Sequence, residues 1–162
     1  MLYRIYRLIV NYRPYNPTDF PALYAIEEAC FAAPVRFERA YLRRLVRRAN
    51  GVTWIAEDDS QMTGFATAGW SRQRGELIAY IETIEVLPAF RGRGAGAALL
   101  GHIEDSARAA GANLLWLHVD AENAAAIRLY EVHGYLHAGR EEGYYPDGHP
   151  ALVYFKRLAP GS

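Results

Sequence analysis

The stretch LPAFRGRGAGAALL, residues 87–100, sets alternating arginine and glycine directly before sequence typical of a helix. Glycine costs a helix or strand roughly 0.5 to 1 kcal/mol relative to alanine, so a cluster here indicates that a ligand approaches the backbone. The first N–H groups of a helix have no intrahelical partner and lie at the positive end of its dipole, which favours a bound anion. Arg91 and Arg93 add two positive charges. The stretch therefore predicts a turn that binds a pyrophosphate.

Two familiar phosphate-binding loops fit this stretch less well. Residues 92–97, GRGAGA, match the dinucleotide pattern G-x-G-x-x-A, and Asp120 stands after the next predicted strand, where a ribose-binding acid is expected. In that fold, however, the first glycine follows its strand almost directly, whereas residues 87–91 intervene here. A Walker loop needs a Lys-Ser or Lys-Thr pair after the glycines, and none follows. A purely structural glycine turn stays open at this point.

Length, charge and hydropathy bound the class of protein. A chain of 162 residues has the size of one domain, which we take as residues 1–162. Eighteen Lys plus Arg balance eighteen Asp plus Glu, so net charge gives no reason to expect direct binding of nucleic acid or membranes. No run approaches about 18 apolar residues, and Cys30 has no second cysteine to pair with. We therefore predict a cytoplasmic protein that does not bind membranes.

The hydrophobic pattern predicts alternating helices and strands, the plan of an α/β domain. We expect a first strand in residues 7–15, helices over 20–31 and 37–50, a meander of three strands over 52–88, a helix from Gly94 to Ala110, a strand over 113–120, a helix over 122–134, and final strands over 134–142 and 151–158. On the second helix, the spacing of Phe37, Tyr41 and Leu45 predicts one buried face.

Two blocks of sequence carry a resemblance to a known family. IETIEVLPAFRGRGAGAALL, residues 81–100, resembles the acetyl-CoA signature of the GNAT N-acetyltransferases, and LLWLHVDAENAAAIRLYEVHGY, residues 114–135, resembles the later strand and helix of that family. Together with IEEACF at 26–31 and GYYPDGHPAL at 143–152, these blocks look like the ribosomal-protein alanine N-acetyltransferases and the catalytic subunits of Nα-acetyltransferases. The resemblance spans nearly the whole chain after the first ten residues.

The resemblance implies an α/β (α+β) GNAT fold, in which a mixed, mostly antiparallel sheet of about seven strands is flanked by about four helices. Its two middle strands would splay apart to admit acetyl-CoA as co-substrate, with no metal. The backbone of Ile84, Glu85 and Val86 would pair with the pantetheine. Asn123 would bond the pantetheine arm, or would simply cap the following helix. The pyrophosphate would lie on Arg91, Gly92, Arg93, Gly94, Ala95 and Gly96.

Acyl transfer from a thioester to an amine needs a base, a donor for the oxyanion and an acid for the departing thiolate. Tyr130 matches the acid position of the family, and a phenol with a reference pKa near 10 suits a thiol near 8.5. The alternative for Tyr130 is a core tyrosine. For the oxyanion, the resemblance points to the backbone N–H of Val86.

The base is where this sequence departs from the ribosomal-protein alanine N-acetyltransferases. Those relatives carry a glutamate in an L-W-L-E-V strand, where this chain has His118. The imidazole, with a reference pKa near 6.5, suits proton transfer from an α-amino group, directly or through a water. Glu82 is the other candidate, since it stands four residues before Val86 and is expected on the same strand face. Glu85 is expected on the opposite face.

The acceptor is predicted to be a primary amine, most specifically the α-amine of a protein N-terminus. The resemblance places the acceptor groove at Phe31 and at the paired tyrosines Tyr144 and Tyr145. A small-molecule amine such as a polyamine or aminosugar, and a non-catalytic acetyl-CoA-binding module, remain the alternatives. The arginines of residues 39–48 indicate either a solvated helix face or a docking surface for an acidic partner such as ribosomal RNA.

Overall fold

The computed structural model describes residues 10–160, which form a seven-stranded sheet with four α-helices. The strands are β1 (Val10–Pro14), β2 (Gly51–Asp58), β3 (Gln61–Gln73), β4 (Glu76–Val86), β5 (Leu114–Asp120), β6 (Leu136–Glu141) and β7 (Ala151–Arg157). The helices are α1 (Phe20–Cys30), α2 (Arg39–Arg47), α3 (Ala95–Ala110) and α4 (Ala124–Val132). These elements confirm the predicted fold, although residues 7–9 of the predicted first strand lie outside the described residues.

The sheet has the order β1-β2-β3-β4-β5-β7-β6. Consecutive strands β1 to β4 form an antiparallel meander, and β7 is antiparallel to both β5 and β6. Strands β4 and β5 are parallel, because α3 forms the crossover that connects them. The sheet is therefore mixed and mostly antiparallel, as the sequence predicts.

The parallel pair β4 and β5 is joined along only part of its length. Residues 78–81 of β4 pair with residues 114–117 of β5, whereas β4 continues to Val86 and β5 to Asp120. Beyond the paired segment the two strands lie apart, which leaves a gap in the middle of the sheet. This is the separation of the middle strands that the family resemblance implies.

A β-bulge at Glu82 marks the point of separation. Thr67 of β3 lies opposite Thr83 while Ala68 lies opposite Ile81, so Glu82 is an extra residue without a partner in β3. Such an insertion reverses the alternation of side chains along the strand. Val86 consequently packs in the core beneath α3, while Glu82 bonds an arginine that follows α2. The prediction that Glu82 and Val86 share a face is therefore wrong, because it assumed a regular strand.

Two hydrophobic clusters cover the two faces of the sheet. One contains Leu99, Leu100 and Ile103 of α3 together with side chains of β4, β5 and β7. The other packs α1 and α2 against Ile55 of β2 and Phe65 of β3. Both faces are thus covered by helices, and the gap between β4 and β5 opens at one end of the sheet.

Helix α2 is shorter than predicted and presents a different face to the core. It begins at Arg39 rather than at Phe37, and its buried residues are Leu42, Leu45 and Val46. Tyr41 is 39% exposed, so the predicted face of Phe37, Tyr41 and Leu45 is wrong except for Leu45. Phe37 precedes the helix and packs against the same cluster from the loop. The remaining helix surface is almost entirely arginine.

The helices within residues 10–160 include none that is both long and apolar enough to span a bilayer.

Helix α3, with 16 residues, begins one residue after the predicted start, with Gly94 as its N-cap in the left-handed region at φ 85°. Helix α1 also starts where Asp19 and Pro21 predict it. The start of α3, which borders the gap in the sheet, is therefore close to the predicted position.

Candidate active site

A cleft of about 390 Å³ lies where β4 separates from β5. Its walls come from the end of β4, the glycine turn with the start of α3, the start and inner face of α4, and the end of α1. The lining residues that the sequence predicted as site residues are Phe31, Ile84, Glu85, Val86, Arg91, Gly92, Gly94, Ala95, Gly96, Asn123 and Tyr130. The structure thus brings most of the predicted cofactor site together in one cleft.

The glycine turn has the backbone geometry that an anion site requires. Gly92 and Gly94 have φ of 77° and 85°, a region that favours glycine, and space is open at both Cα atoms. Arg91 is fixed by a hydrogen bond of 2.9 Å from its Nε to the carbonyl oxygen of Val86, and the guanidinium of Arg93 lies over the Phe90 ring. The turn therefore leaves the first N–H groups of α3 accessible at the cleft, flanked by two cations.

The register of β4 decides which of its backbone groups face the cleft. The N–H of Leu87 bonds the carbonyl oxygen of Thr63, and hydrogen-bonded pairs alternate along an antiparallel ladder. By this alternation the backbone of Glu85 points toward β3, while the N–H and C=O groups of Ile84 and Val86 point toward the gap. The register removes Glu85 from the predicted backbone pairing and leaves Ile84 and Val86 for it.

Asn123 caps α4, since its Oδ1 accepts a hydrogen bond of 3.1 Å from the N–H of Ala126. The capping role, which was one of the two roles predicted for Asn123, is therefore confirmed. Asn123 also lines the cleft, so its amide stands at the cofactor side. Its bond to the pantetheine stays a prediction.

Tyr130 lies inside the cleft wall and is only 6% exposed. Its ring packs edge-on against Tyr135 at a centroid distance of 5.6 Å. Burial raises the pKa of Tyr130 above its ordinary value, so the hydroxyl remains protonated at neutral pH. A protonated phenol at this place has a proton to donate, which is compatible with the predicted acid role and with a position in the core.

Cys30 also lines the cleft, a position that the sequence did not assign to it. Its Sγ lies 3.6 Å from the carbonyl oxygen of Val86 and 3.6 Å from a guanidinium nitrogen of Arg91. Burial raises the pKa of the Cys30 thiol. Because the thiolate is the reactive form, this environment disfavours Cys30 as a covalent acyl carrier.

A pair of buried carboxyl groups lies behind the cleft. Glu27 of α1 and Glu85 of β4 are 1% and 3% exposed. Oε1 of Glu27 accepts a hydrogen bond from the N–H of Phe37, and Oε2 of Glu85 accepts one from the hydroxyl of Thr83. Burial, and then the neighbouring Glu27, raise the pKa of Glu85 well above its usual range. Glu85 is therefore held protonated beside the end of α1.

His118 is held between a phenol and a carboxylate. Its Nδ1 lies 2.8 Å from the hydroxyl of Tyr80 on β4, and its Nε2 lies 3.1 Å from Oε1 of Glu141 on β6. The ring of Tyr144 stacks on the imidazole at a centroid distance of 4.2 Å. Burial raises the pKa of Tyr80, so this hydroxyl stays protonated at neutral pH. Sequence reasoning missed Tyr80 and Glu141, since only the pairing of β4 with β5, and the place of β6 beyond β7, bring them to His118.

Glu82 has a different environment from the one predicted. Its Oε1 accepts a hydrogen bond of 3.1 Å from Nη1 of Arg48, at the C-terminal end of α2. The guanidinium of Arg48 lies flat against Gly69, where any Cβ would collide with it. Glu82 is thus occupied by an ion pair. Neither Glu82 nor His118 is among the residues that line the cofactor cleft. Of the two candidate bases, His118 has the hydrogen-bond partners that proton transfer requires.

Of the predicted acceptor residues only Phe31 lines the cleft, whereas Tyr144 and Tyr145 lie in the loop between β6 and β7, beside His118. Tyr144 is 40% exposed, and its ring meets that of Tyr145 edge-on at 4.9 Å. The loop between β6 and β7 is closed by a hydrogen bond of 3.1 Å from the N–H of Tyr145 to the carbonyl oxygen of His149. Phe31 follows α1 at the edge of the cleft. Tyr144 therefore connects His118 to the solvent-facing loop.

An imidazole and two carboxylates hold this loop to the end of β5. The Nδ1 of His149 lies 2.9 Å from Oδ2 of Asp120, and its Nε2 lies 3.4 Å from Oε2 of Glu122. Side-chain atoms of all three residues lie within 4.8 Å of one another, so the set has the spacing of a cation site, which the sequence did not indicate. When protonated, His149 itself supplies the positive charge that neutralises Asp120 and Glu122, as a bound cation would. The hydrogen bond to Asp120 raises the pKa of His149 and favours this form.

Comparisons with known proteins agree with the predicted fold and family. The pattern of the Acetyltransferase (GNAT) family matches residues 20–135. Over 140 residues the chain is 36% identical to the ribosomal protein bS18 alanine N-acetyltransferase of Salmonella typhimurium strain LT2, which covers 85% of this chain and 90% of that protein. The crystal structure of the ribosomal-protein-S18-alanine N-acetyltransferase from Escherichia coli superposes with a TM-score of 0.80 at 28% identity, covering 95% of this chain and 97% of that one.

A second solved structure, Arabidopsis thaliana NAA60 in complex with a bisubstrate analogue, superposes with a TM-score of 0.83 at 26% identity, covering 94% of this chain and 100% of that one. The chain belongs to the GNAT acetyltransferase family. It is an acetyl-CoA-dependent N-acetyltransferase, with acetyl-CoA as its co-substrate.

The His149 cluster makes a prediction about stability and pH. Because the folded-state pKa of His149 is raised, its stabilising effect is full below the ordinary value near 6.5 and is lost as pH rises through the folded value. We expect the difference in Tm between the parent and His149→Gln to be larger near pH 5.5 than near pH 8.5, measured by calorimetry. His137→Gln is the control, since His137 bonds the carbonyl of Gly139 rather than a carboxylate. An equal difference in Tm at both pH values would contradict the prediction.

Proposed function

We propose that this enzyme acetylates the α-amino group of a protein N-terminus. The observation that carries the proposal is the position of His118, which lies between the hydroxyl of Tyr80 and the carboxylate of Glu141 and stacks against the ring of Tyr144, one of the predicted acceptor residues. Similarity to enzymes that are named for acetylating a ribosomal protein supports the same class of acceptor. The cytoplasm remains the expected location.

The proposed base is His118 acting through Tyr80. The Tyr80 hydroxyl donates to Nδ1 of His118, so the neutral imidazole carries its proton on Nε2 and donates it to Glu141. As the attacking amine loses a proton to Tyr80, directly or through a water, the phenolic proton moves to Nδ1. The imidazolium that forms is stabilised by Glu141, in the same way that a carboxylate stabilises the histidine of a hydrolase triad.

The remaining steps use groups in the cleft. Acetyl-CoA supplies an activated acetyl thioester. The N–H of Val86, directed toward the gap between β4 and β5, is the proposed donor to the oxyanion. Tyr130 is the proposed acid, because it is protonated and lines the same cleft. With Cys30 held as a thiol, the acetyl group passes directly to the amine in a ternary complex.

The experiment that tests the acceptor class is a panel of substrates with product detection by mass. Short peptides that differ in their first two residues, polyamines and aminosugars are each mixed with the protein and acetyl-CoA. We expect acetylation of peptides at the α-amine. Turnover of only the small amines would replace the proposal with the small-molecule alternative. Cofactor binding without any product would favour the acetyl-CoA-binding module.

Variants of the two candidate bases give distinct pH profiles. We expect His118→Ala to lower kcat by about 10²-fold or more and to abolish the acidic limb of the pH–rate profile, because the proton acceptor is lost. Glu82→Gln should retain the acidic limb, since Glu82 is paired with Arg48. Tyr80→Phe should lower kcat toward the His118→Ala value. Loss of the acidic limb in Glu82→Gln alone would transfer the base role to Glu82.

Removing the phenolic hydroxyl of Tyr130 tests the acid. We expect Tyr130→Phe to lower kcat at least about tenfold with little change in acetyl-CoA affinity, because the departing thiolate loses its proton donor. Tyr154→Phe is the matched control, since it removes a buried hydroxyl that bonds Glu131 outside the cleft. Equal turnover in Tyr130→Phe and the parent would remove Tyr130 from the mechanism and leave it as a core tyrosine.

A further inference from the structure

Helix α2 concentrates positive charge that the rest of the described chain does not neutralise. The helix contains Arg39, Arg43, Arg44 and Arg47 and no acidic residue. Within residues 10–160, ion pairs join Arg13, Arg48, Arg108 and Arg140 to carboxylates, and none is formed by these four arginines of α2. Because the whole chain has no net charge, this surface is a local excess of cations.

Aromatic rings hold several of these arginines in place. The guanidinium of Arg43 lies 4.5 Å from the centre of the Phe20 ring, and that of Arg39 lies 5.0 Å from the Tyr24 ring. Arg44 lies 5.5 Å from the ring of Tyr41. A guanidinium near an aromatic ring loses less entropy when an anion binds, and its N–H donors remain suited to bidentate contact with a carboxylate. These side chains are therefore prepared for an anionic partner.

A groove runs among the arginines. Its volume is about 430 Å³, and it is lined by Ala40, Arg43, Arg44, Arg47 and Arg48. The small side chain of Ala40 leaves room between the longer arginines. A groove with walls of guanidinium groups favours a chain that carries several negative charges.

The groove is connected to the predicted acceptor residues through Arg48. Arg48 lines the groove and bonds Glu82, two residues along β4 from Tyr80. The hydroxyl of Tyr80 in turn bonds His118, on whose ring Tyr144 stacks. A polypeptide that leaves the site beside Tyr144 can therefore continue along α2.

We propose that the groove on α2 binds acidic side chains downstream of the acceptor's N-terminal residues and selects acceptors by them. This inference rests on the proposed function and names the acceptor class more closely. The nine residues of α2 extend about 13 Å, a length that about four residues of extended peptide cover. A polypeptide is favoured over a nucleic acid because the groove continues the site that receives an α-amine, and because the neutral chain offers no wider attraction to a polyanion.

The test compares peptides of identical first residues that carry four Glu, four Gln or four Lys, placed at successive positions from the third residue. We expect kcat/KM for the Glu peptide to exceed that for the Gln peptide by roughly tenfold at low ionic strength, through KM, with the Lys peptide poorest. The preference should shrink as salt rises, because the Debye length falls from about 30 Å at 0.01 M to 10 Å at 0.1 M.

Charge variants assign the preference to α2. The ratio of kcat/KM for the Glu peptide to that for the Gln peptide should fall to about one in Arg44→Gln/Arg47→Gln. It should fall below one in Arg44→Glu/Arg47→Glu, because the groove then repels the acidic peptide. Arg157→Glu is the control for the double Gln variant, because it makes the same change of two charges at an exposed position on β7, away from α2 in the sheet order, and should keep the parental ratio. An unchanged ratio in both double variants would overturn the assignment to α2.

Direct binding separates this inference from the acceptor proposal. Fluorescence anisotropy of dye-labelled Glu and Gln peptides on parent and double variants reports the groove without turnover. Absence of α-amine acetylation in every peptide contradicts the proposed function, whereas acetylation of Glu and Gln peptides with equal kcat/KM and equal binding contradicts only the groove. Binding of a single-stranded RNA oligonucleotide that depends on Arg44 and Arg47, without preference for Glu peptides, would overturn the inference in favour of a nucleic-acid surface.

Discussion

The partial pairing of β4 with β5 is the constraint on which the site depends. Four residues of each strand pair, and beyond them the strands lie apart while the core beneath α3 remains closed. Buried backbone groups need partners, so the N–H and C=O groups of Ile84 and the N–H of Val86, which point into the gap, are suited to a bound chain that replaces the missing strand. The C=O of Val86 already accepts a hydrogen bond from Arg91. The start of α3 borders the same gap, which adds an anion site at one end.

The bulge at Glu82 divides β4 into two parts with different tasks. Before the bulge, Tyr80 is bonded to His118; after it, Ile84 and Val86 are turned toward the cleft. Without the inserted residue, the residues after Glu82 would point to the opposite face of the sheet, because each added residue reverses the side on which a side chain lies. One inserted residue thereby lets a single strand serve the amine at one side and the thioester at the other.

The parts of the site that sequence predicts are those written in contiguous residues. The glycine turn, the start of α3 and the capping residue Asn123 depend on local backbone chemistry, and they were correctly placed in one region. The predicted faces of β4 and α2 were wrong. For β4, the alternation of side chains assumed a strand without a bulge; for α2, the predicted buried face assumed a helix that begins at Phe37 rather than at Arg39. Tyr80, Glu141 and Arg48 were missed, since their contacts join residues 23 to 38 positions apart.

The arrangement of carboxyl groups around the acceptor also bears on proton transfer. A free carboxylate beside an ammonium favours the charged form and so opposes its deprotonation. Glu82 is neutralised by Arg48, and Glu85 is held protonated by burial beside Glu27. Neither Glu82 nor Glu85 of β4 therefore presents a free negative charge. Glu141 remains, but it acts on Nε2 of His118, where a negative charge stabilises the imidazolium instead of the substrate's ammonium. The ion pair with Arg48 therefore leaves Glu141 as the carboxylate that contacts the proposed base.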